Sequence, residues 1–166
     1  KGIPLSDSEV DFDKVSLGLE QNDLPVGIVG KGSYKMLYHR FLRQKMVPFM
    51  DFQHFAANQT IWAPSDERYT TFNLLPYYSN STDEYAIEGH YEHNFKGFIL
   101  DKIPGIRKLG FFLITGTHHL YTPQQGYYHE YHFGLDRIGI KAFRLLRLDL
   151  AAGKPADAEK WNLGWR

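Results

Sequence analysis

Histidine and carboxylate side chains are the residues of this sequence whose types and spacing could do chemistry. Three close histidine pairs stand out among eight histidines, namely His90/His93, His118/His119 and His129/His132. Imidazole is a common metal ligand, so these pairs raise the hypothesis of a metal site. An odd separation in a strand points two side chains to opposite faces, which prevents each pair from chelating one ion from a straight strand. Combinations across strands, such as His90 with Glu92 or His132 with Glu130, stay open, and no metal ligand is assigned.

Paired carboxylates could also serve as a general acid and a general base. Glu88 and Glu92 share a strand face, but they are about 13 Å apart along it, which is too far for a catalytic dyad. Residues 27–33 read GIVGKGS and contain Gly-Lys, yet they lack the spacing of a phosphate-binding loop. We therefore assign no catalytic residue and no cofactor, and we expect a protein that is not an enzyme.

The elements that position these side chains alternate with a period of two residues. Residues 84–95 read EYAIEGHYEHNF, in which every second residue is aromatic or apolar and the others are charged or polar. Such alternation predicts a strand with one apolar and one polar face. Similar segments are 13–21, 27–41, 127–137, 145–151 and 159–166, with less regular ones at 71–81 and 108–121. We predict an all-β antiparallel meander of about seven to eight long strands in one domain, residues 1–166.

Composition excludes several classes of function. The 166 residues carry 19 basic and 19 acidic side chains, so no overall positive charge favours nucleic acid. The absence of cysteine excludes disulfides and thiolate metal sites. The longest apolar run, near Leu109 to Ile114, is far shorter than the roughly 18 residues of a membrane helix.

Two architectures fit the alternation: a transmembrane β-barrel, with its apolar face outward, and a soluble ligand-binding β-barrel of the lipocalin-like kind, with its apolar face inward. Segments of ten or more residues favour the membrane barrel, because soluble strands average about 5 to 6 residues. The side chains then expected to face a polar lumen are Lys31, Lys35, Glu88, His90, Glu92, Glu130, His132, Asp136, Arg147 and Asp149. Those expected to face lipid are Tyr85, Ile87, Tyr91, Phe95, Tyr131, Phe133, Leu135, Leu146, Leu148 and Leu150. Tyrosines near segment ends, including Tyr121, Tyr127 and Tyr128, are expected to form an interfacial girdle.

Two long stretches carry a resemblance to a known family. Residues 77–109, beginning YYSNSTDEYAIEGHYEHNF, and residues 127–151, YYHEYHFGLDRIGIKAFRLLRLDLA, resemble the C-terminal barrel of a Bacteroidetes outer-membrane family. The shared pattern includes a Tyr-rich hairpin, a strand end with Glu92, His93 and Phe95, and a late Phe-Arg-hydrophobic-Asp run. Members of that family carry a carboxypeptidase-regulatory-like domain ahead of the barrel.

The resemblance implies location in the bacterial outer membrane, a lipid bilayer as partner and no known reaction. It implies a non-catalytic structural or transport-associated component of the envelope, within a larger assembly. We expect these strands to be part of a larger barrel rather than a closed barrel. The first and last strands are then expected to pair with other polypeptide.

Overall fold

The computed structural model describes residues 11–57, 68–140, 143–156 and 158–165. These residues form one sheet of seven strands, and each strand is antiparallel to its neighbours in sequence order. The strands are β1 Asp11–Pro25, β2 Lys31–Met46, β3 Tyr85–Lys96, β4 Phe112–Thr122, β5 Gly126–Ile140, β6 Phe143–Pro155 and β7 Asn162–Trp165. The predicted all-β antiparallel meander is therefore confirmed. Arg166, at the end of the predicted last strand, lies outside the described residues.

The sheet is not closed into a barrel. Among the described residues β1 pairs only with β2 and β7 pairs only with β6. The expectation that the outermost strands pair with other polypeptide stays a prediction.

Helical structure in the described part of the chain consists of short 3₁₀ turns in the connections. These are Gly27–Val29, Phe49–Asp51, Arg68–Thr70, Leu100–Lys102 and Ile106–Leu109. None of them has the length and apolar character needed to cross a membrane.

The register of the sheet places the histidines and carboxylates on two faces. Lys35, His90, His118 and Glu130 are direct partners across β2, β3, β4 and β5, so their side chains lie on the same face. We call this the inner face and the opposite one the outer face. The odd-numbered residues of β3, including Ile87 and Tyr91, lie on the outer face.

One predicted strand, residues 71–81, does not form. The structure has turns and bends there, and its only ladder contact is an isolated bridge from Phe72 to Ala57. The physical reason lies in the spacing of its apolar residues: Phe72 and Leu75 are three apart and both are buried, which period-two strand geometry does not allow on one face. Pro76 also lacks the N–H that a ladder needs.

Residues 68–82, which we call the cover segment, instead fold across the inner face. The largest apolar cluster forms at this contact. It combines Ala57, Phe72 and Leu75 from the long connection with Leu120 and Tyr128 from the sheet. This cluster is small, and the same face also buries polar side chains, including Glu88, His90, His118, Glu130 and His132.

Candidate functional site on the inner face of the sheet

The centre of the inner face is a buried chain of imidazole and carboxylate groups. Glu88 accepts a hydrogen bond from His90 Nε2 at 2.7 Å, and His90 Nδ1 lies 2.8 Å from His118 Nδ1. On the far side of His118, Nε2 lies 3.5 Å from the amide Nδ2 of Asn73. Because an amide N–H must donate and a carboxylate must accept, the chain is directed from Asn73 through His118 and His90 to Glu88. Both imidazoles can then be neutral, with every nitrogen in this chain partnered.

A third imidazole, that of His39, lies beyond Glu88 toward β1 and β2. Its Nε2 is 3.9 Å from Glu88 Oε2, too far for a hydrogen bond, and its Nδ1 is 2.8 Å from the hydroxyl of Ser16. Two more ion pairs lie on the exposed β1–β2 side, from Lys35 to Glu20 at 3.4 Å and from Lys31 to Asp23 at 3.2 Å.

A second set of charges lies at the other end of the inner face. Arg147 donates to both oxygens of Asp149, at 2.6 and 2.9 Å, and to Glu92 at 2.8 Å. Glu92 Oε2 is also 3.4 Å from His132 Nε2, and the His132 ring stacks on His118 at 4.9 Å between centroids. His132 thus joins the two halves of the inner face, although neither of its nitrogens has a hydrogen bond of good geometry.

Glu130 is completely buried and holds the cover segment. Its Oε1 accepts from the backbone N–H of Asn73 at 2.6 Å and from the side-chain amide of Asn73 at 2.7 Å. Its Oε2 accepts from the N–H of Leu74 at 2.9 Å and from the hydroxyl of Tyr128 at 2.8 Å. A buried carboxylate is costly unless it is fully hydrogen-bonded, and here four donors converge on it.

The Phe72 ring closes the site from above. It packs on His90 at 5.0 Å, on His118 at 5.6 Å and on Tyr128 at 5.7 Å between centroids. Tyr69, four residues from the Asn73 contact, donates to Glu20 at 2.8 Å, which ties the start of the cover segment to β1. Burial and that hydrogen bond raise the pKa of Tyr69 to about 12.

Glycines on the inner face leave room for these side chains. A Cβ at Gly116 would overlap the imidazole of His132 and the carbonyl of Tyr91, and one at Gly134 would overlap the carboxylate of Asp149. The positions opposite these large polar groups are therefore restricted to glycine by contact rather than by backbone angle.

The polar residues predicted to face a lumen all lie on the inner face by register. Five of them are buried, and these are Glu88, His90, Glu130, His132 and Asp149. The other five, Lys31, Lys35, Glu92, Asp136 and Arg147, are half-buried. The sequence did not predict that the cover segment would lie across this face.

The apolar residues predicted to face lipid lie on the opposite face. Seven of them are exposed, and these are Ile87, Tyr91, Tyr131, Phe133, Leu146, Leu148 and Leu150. The remaining three, Tyr85, Phe95 and Leu135, are half-buried. Contact of this face with lipid stays a prediction.

The tyrosines expected in an interfacial girdle divide between the two faces, and their contact with a membrane interface stays a prediction. Tyr85, Tyr121 and Tyr127 meet at the same end of the outer face, at 5.9 and 4.6 Å between ring centroids. Tyr128 points the other way and is buried against Phe72, because neighbouring residues of a strand alternate between faces.

The histidine pairs in sequence are indeed split between faces, but new pairs form across strands. His90 meets His118 on the inner face, and His119 meets His129 on the outer face at 2.7 Å between Nδ1 atoms. Within the described residues, no three His, Asp or Glu side chains are arranged to hold a metal ion. Sequence reasoning missed His39, Asn73 and Phe72, whose contacts depend on how the long connection folds back.

Comparison with known families gives one match. Residues 1–135 match the C-terminal domain of a family of unknown function, DUF5686. The chain belongs to this family. The match includes the imidazole chain and Glu130 but ends before Arg147 and Asp149. No curated protein and no solved structure matches the chain.

Proposed function

We propose that this C-terminal domain is a segment of an outer-membrane β-barrel and acts as a non-catalytic structural or transport-associated component of the bacterial envelope. The observation that carries the proposal is the distribution of side chains between the two faces. Charged and imidazole groups fill the covered inner face, while large apolar side chains stand exposed on the outer face. Soluble β-barrels have the opposite arrangement, with apolar residues inside.

Exposed apolar side chains lie on the outer face of most strands, whereas β4 presents Thr115, Thr117 and His119 there. Leu17 on β1, Met36 on β2, Ile87 on β3, Phe133 on β5 and Leu150 on β6 are each between 48 and 63% exposed. Exposed apolar patches of this extent are rare on soluble monomers and mark contact with lipid or protein. An apolar groove of about 330 Å³ between β1, β2 and β3 on this face would take a lipid acyl chain.

The inner face supports the same proposal by its extent along the strands. At one end of the polar region His39 pairs with Ala86 of β3. At the other end Asp149 is level with Asn94 of β3, through direct partners on β5 and β4. Eight residues of strand correspond to about 26 Å. Strands of an outer-membrane barrel tilt by about 35 to 45°, so this length rises roughly 18 to 21 Å along the membrane normal, which lies within an apolar band of about 25 Å.

In this proposal the cover segment is an internal plug. Plugged lumens occur among outer-membrane barrels, and a plug needs polar attachment to the barrel wall rather than an apolar core. Glu130 supplies that attachment here. The barrel is completed by other polypeptide that pairs with β1 and β7, and the lipid bilayer is the principal partner. The Bacteroidetes outer-membrane family with a carboxypeptidase-regulatory-like domain ahead of its barrel is the proposed wider relationship.

Partition between water and vesicles tests the proposal. The protein, refolded without detergent together with the polypeptide that completes the barrel, should be recovered with phosphatidylcholine vesicles and should resist extraction by carbonate. Recovery of folded protein from the aqueous phase, with no effect of added vesicles, would contradict the proposal and favour the soluble lipocalin-like alternative.

A further inference from the structure

The connection between β3 and β4, residues 97–111, carries a cluster of cations at one end of the sheet. Lys102, Arg107 and Lys108, together with Pro104 and Gly105, line a cavity of about 320 Å³ in which Asp101 is the one acidic group. In the part of the chain that the structure describes, no carboxylate lies within ion-pair distance of these three cations. Their charges are therefore available to an anion from outside the chain.

Apolar side chains accompany the cations. Ile103 is 42% exposed and Leu109 is 48% exposed, although both belong to a connection of only about 15 residues between two long strands. The Lys102 ammonium lies 3.8 Å from the centre of the Phe98 ring, which holds its stem against an apolar surface. The connection is thus amphipathic, with cations around exposed aliphatic groups.

The connection lies at one end of the sheet and borders both faces. It leaves β3 after Phe95, on the outer face, and enters β4 at Phe112, on the inner face, whose ring lies 4.6 Å from the guanidinium of Arg137. Arg144 of β6 reaches the same place, since its guanidinium contacts Gly110 at the end of the connection. Cations of the β3–β4 connection, of β5 and of β6 therefore lie together at this end of the sheet. In the proposed function this end lies at the level of the lipid headgroups.

We propose that the β3–β4 connection is a binding site for the phosphate of an anionic lipid headgroup. The inference rests on the proposed function, because it places this end of the sheet at the headgroup level. Free phosphate has the same charged oxygens, but only a lipid covers Ile103 and Leu109 with acyl chain while its phosphate meets Lys102, Arg107 and Lys108. Each cation near an anionic surface contributes about a 5-fold gain in affinity, so three contribute roughly 100-fold.

Lipid retention measures this affinity. The protein is refolded, together with the polypeptide that completes the barrel, into phosphatidylcholine vesicles with and without a minor fraction of phosphatidic acid. It is then extracted in mild detergent, and the bound phosphatidic acid is counted by native mass spectrometry. The variant replaces the three cavity cations by glutamine, as Lys102→Gln, Arg107→Gln and Lys108→Gln. A control variant makes the same change of net charge at the opposite end of the strands, as Arg40→Gln, Arg43→Gln and Lys160→Gln.

We expect the wild type and the control to retain phosphatidic acid in preference to phosphatidylcholine, and the cavity variant to require roughly 100-fold more for the same occupancy. Equal loss in the control would overturn the site, as would equal retention in all three proteins. Displacement of the lipid by inorganic phosphate at matching concentration would show that the site takes free phosphate and would overturn the lipid assignment. Insertion into phosphatidylcholine alone reports on the proposed function separately, so that a protein that inserts without lipid preference rejects only this inference.

Discussion

Replacing Glu130 by alanine removes the acceptor that holds the cover segment on the inner face. The carboxylate receives two backbone N–H groups, from Asn73 and Leu74, as well as the Asn73 amide and the Tyr128 hydroxyl. A hydrogen bond to a charged group contributes about 1.5 to 3 kcal/mol. Three of these bonds come from the cover segment and share one acceptor, so their contributions do not add fully. We expect the free energy that docks the segment to fall by about 3 to 4 kcal/mol.

Hydrogen exchange at the Phe72 amide measures that loss. This N–H donates to the carbonyl of Ala56, in the same long connection, and not to Glu130. Its protection therefore falls only if undocking of the cover segment also separates Phe72 from Ala56. A loss of 3 to 4 kcal/mol accelerates exchange by roughly 10²- to 10³-fold, provided that the amide exchanges through undocking. Glu130→Gln keeps the shape and one acceptor oxygen, so its effect should be intermediate.

Glu159→Ala is the matched control, because Glu159 is an exposed carboxylate in the connection before β7. Its Phe72 amide should exchange at the wild-type rate. Unchanged Phe72 exchange in Glu130→Ala, with loss of protection limited to residues 73 and 74, would refute the role of Glu130 in holding the segment.

Three further predictions concern packing, pH and the outer face. Gly116→Ala should lower the free energy of unfolding by about 1 to 3 kcal/mol, because its methyl group overlaps His132. The control Gly89→Ala has open space around its Cβ and should leave that free energy unchanged. Thermal unfolding of both variants in the same detergent compares them. Because the pKa of Tyr69 is raised in the folded protein, its contribution to the free energy of unfolding is present below pH 10 and is lost as the pH rises toward about 12. Tyr69→Phe should remove that part of the loss of stability at alkaline pH. Equal profiles of unfolding free energy against pH for both proteins would contradict this prediction. Tyr91→Arg, near the middle of β3, should destabilise the bilayer-inserted protein by about 2 to 4 kcal/mol, as measured by urea unfolding from vesicles. A cost below about 1 kcal/mol would contradict the placement of this face in the apolar band.

Local backbone geometry explains why the strands and their faces could be predicted from the sequence. Alternation is a property of neighbouring residues, so Ile87 and Glu88 could be assigned to opposite faces without knowledge of the fold. The register that puts His90 beside His118 depends on the connection between β3 and β4 and on its two 3₁₀ turns. Alternation along a strand does not determine the conformation of that connection. Alternation therefore assigned the two histidines of each sequence pair to opposite faces correctly. It could not identify the histidine pairs that form across strands.

The cover segment shows where pattern reasoning failed and why. Residues 71–81 have the aromatic content of a strand, but they also contain Pro76, which is depleted in strands. Their structure is decided by partners far along the chain, since Asn73 binds a carboxylate 57 residues away. A buried acidic residue such as Glu130 requires hydrogen-bond donors, but only the folded structure shows which residues supply them.

The central claim, that the outer face contacts lipid and the inner face does not, is tested most directly by spin-label accessibility along β3. The sequence has no cysteine, so single cysteines at positions 85 to 91 carry one nitroxide each without further substitution. In bilayers the labels at 85, 87, 89 and 91 should be accessible to oxygen and shielded from a water-soluble nickel complex, while those at 86, 88 and 90 should be shielded from both. Access of the nickel complex to positions 87 and 91, in the presence of vesicles, would contradict the account.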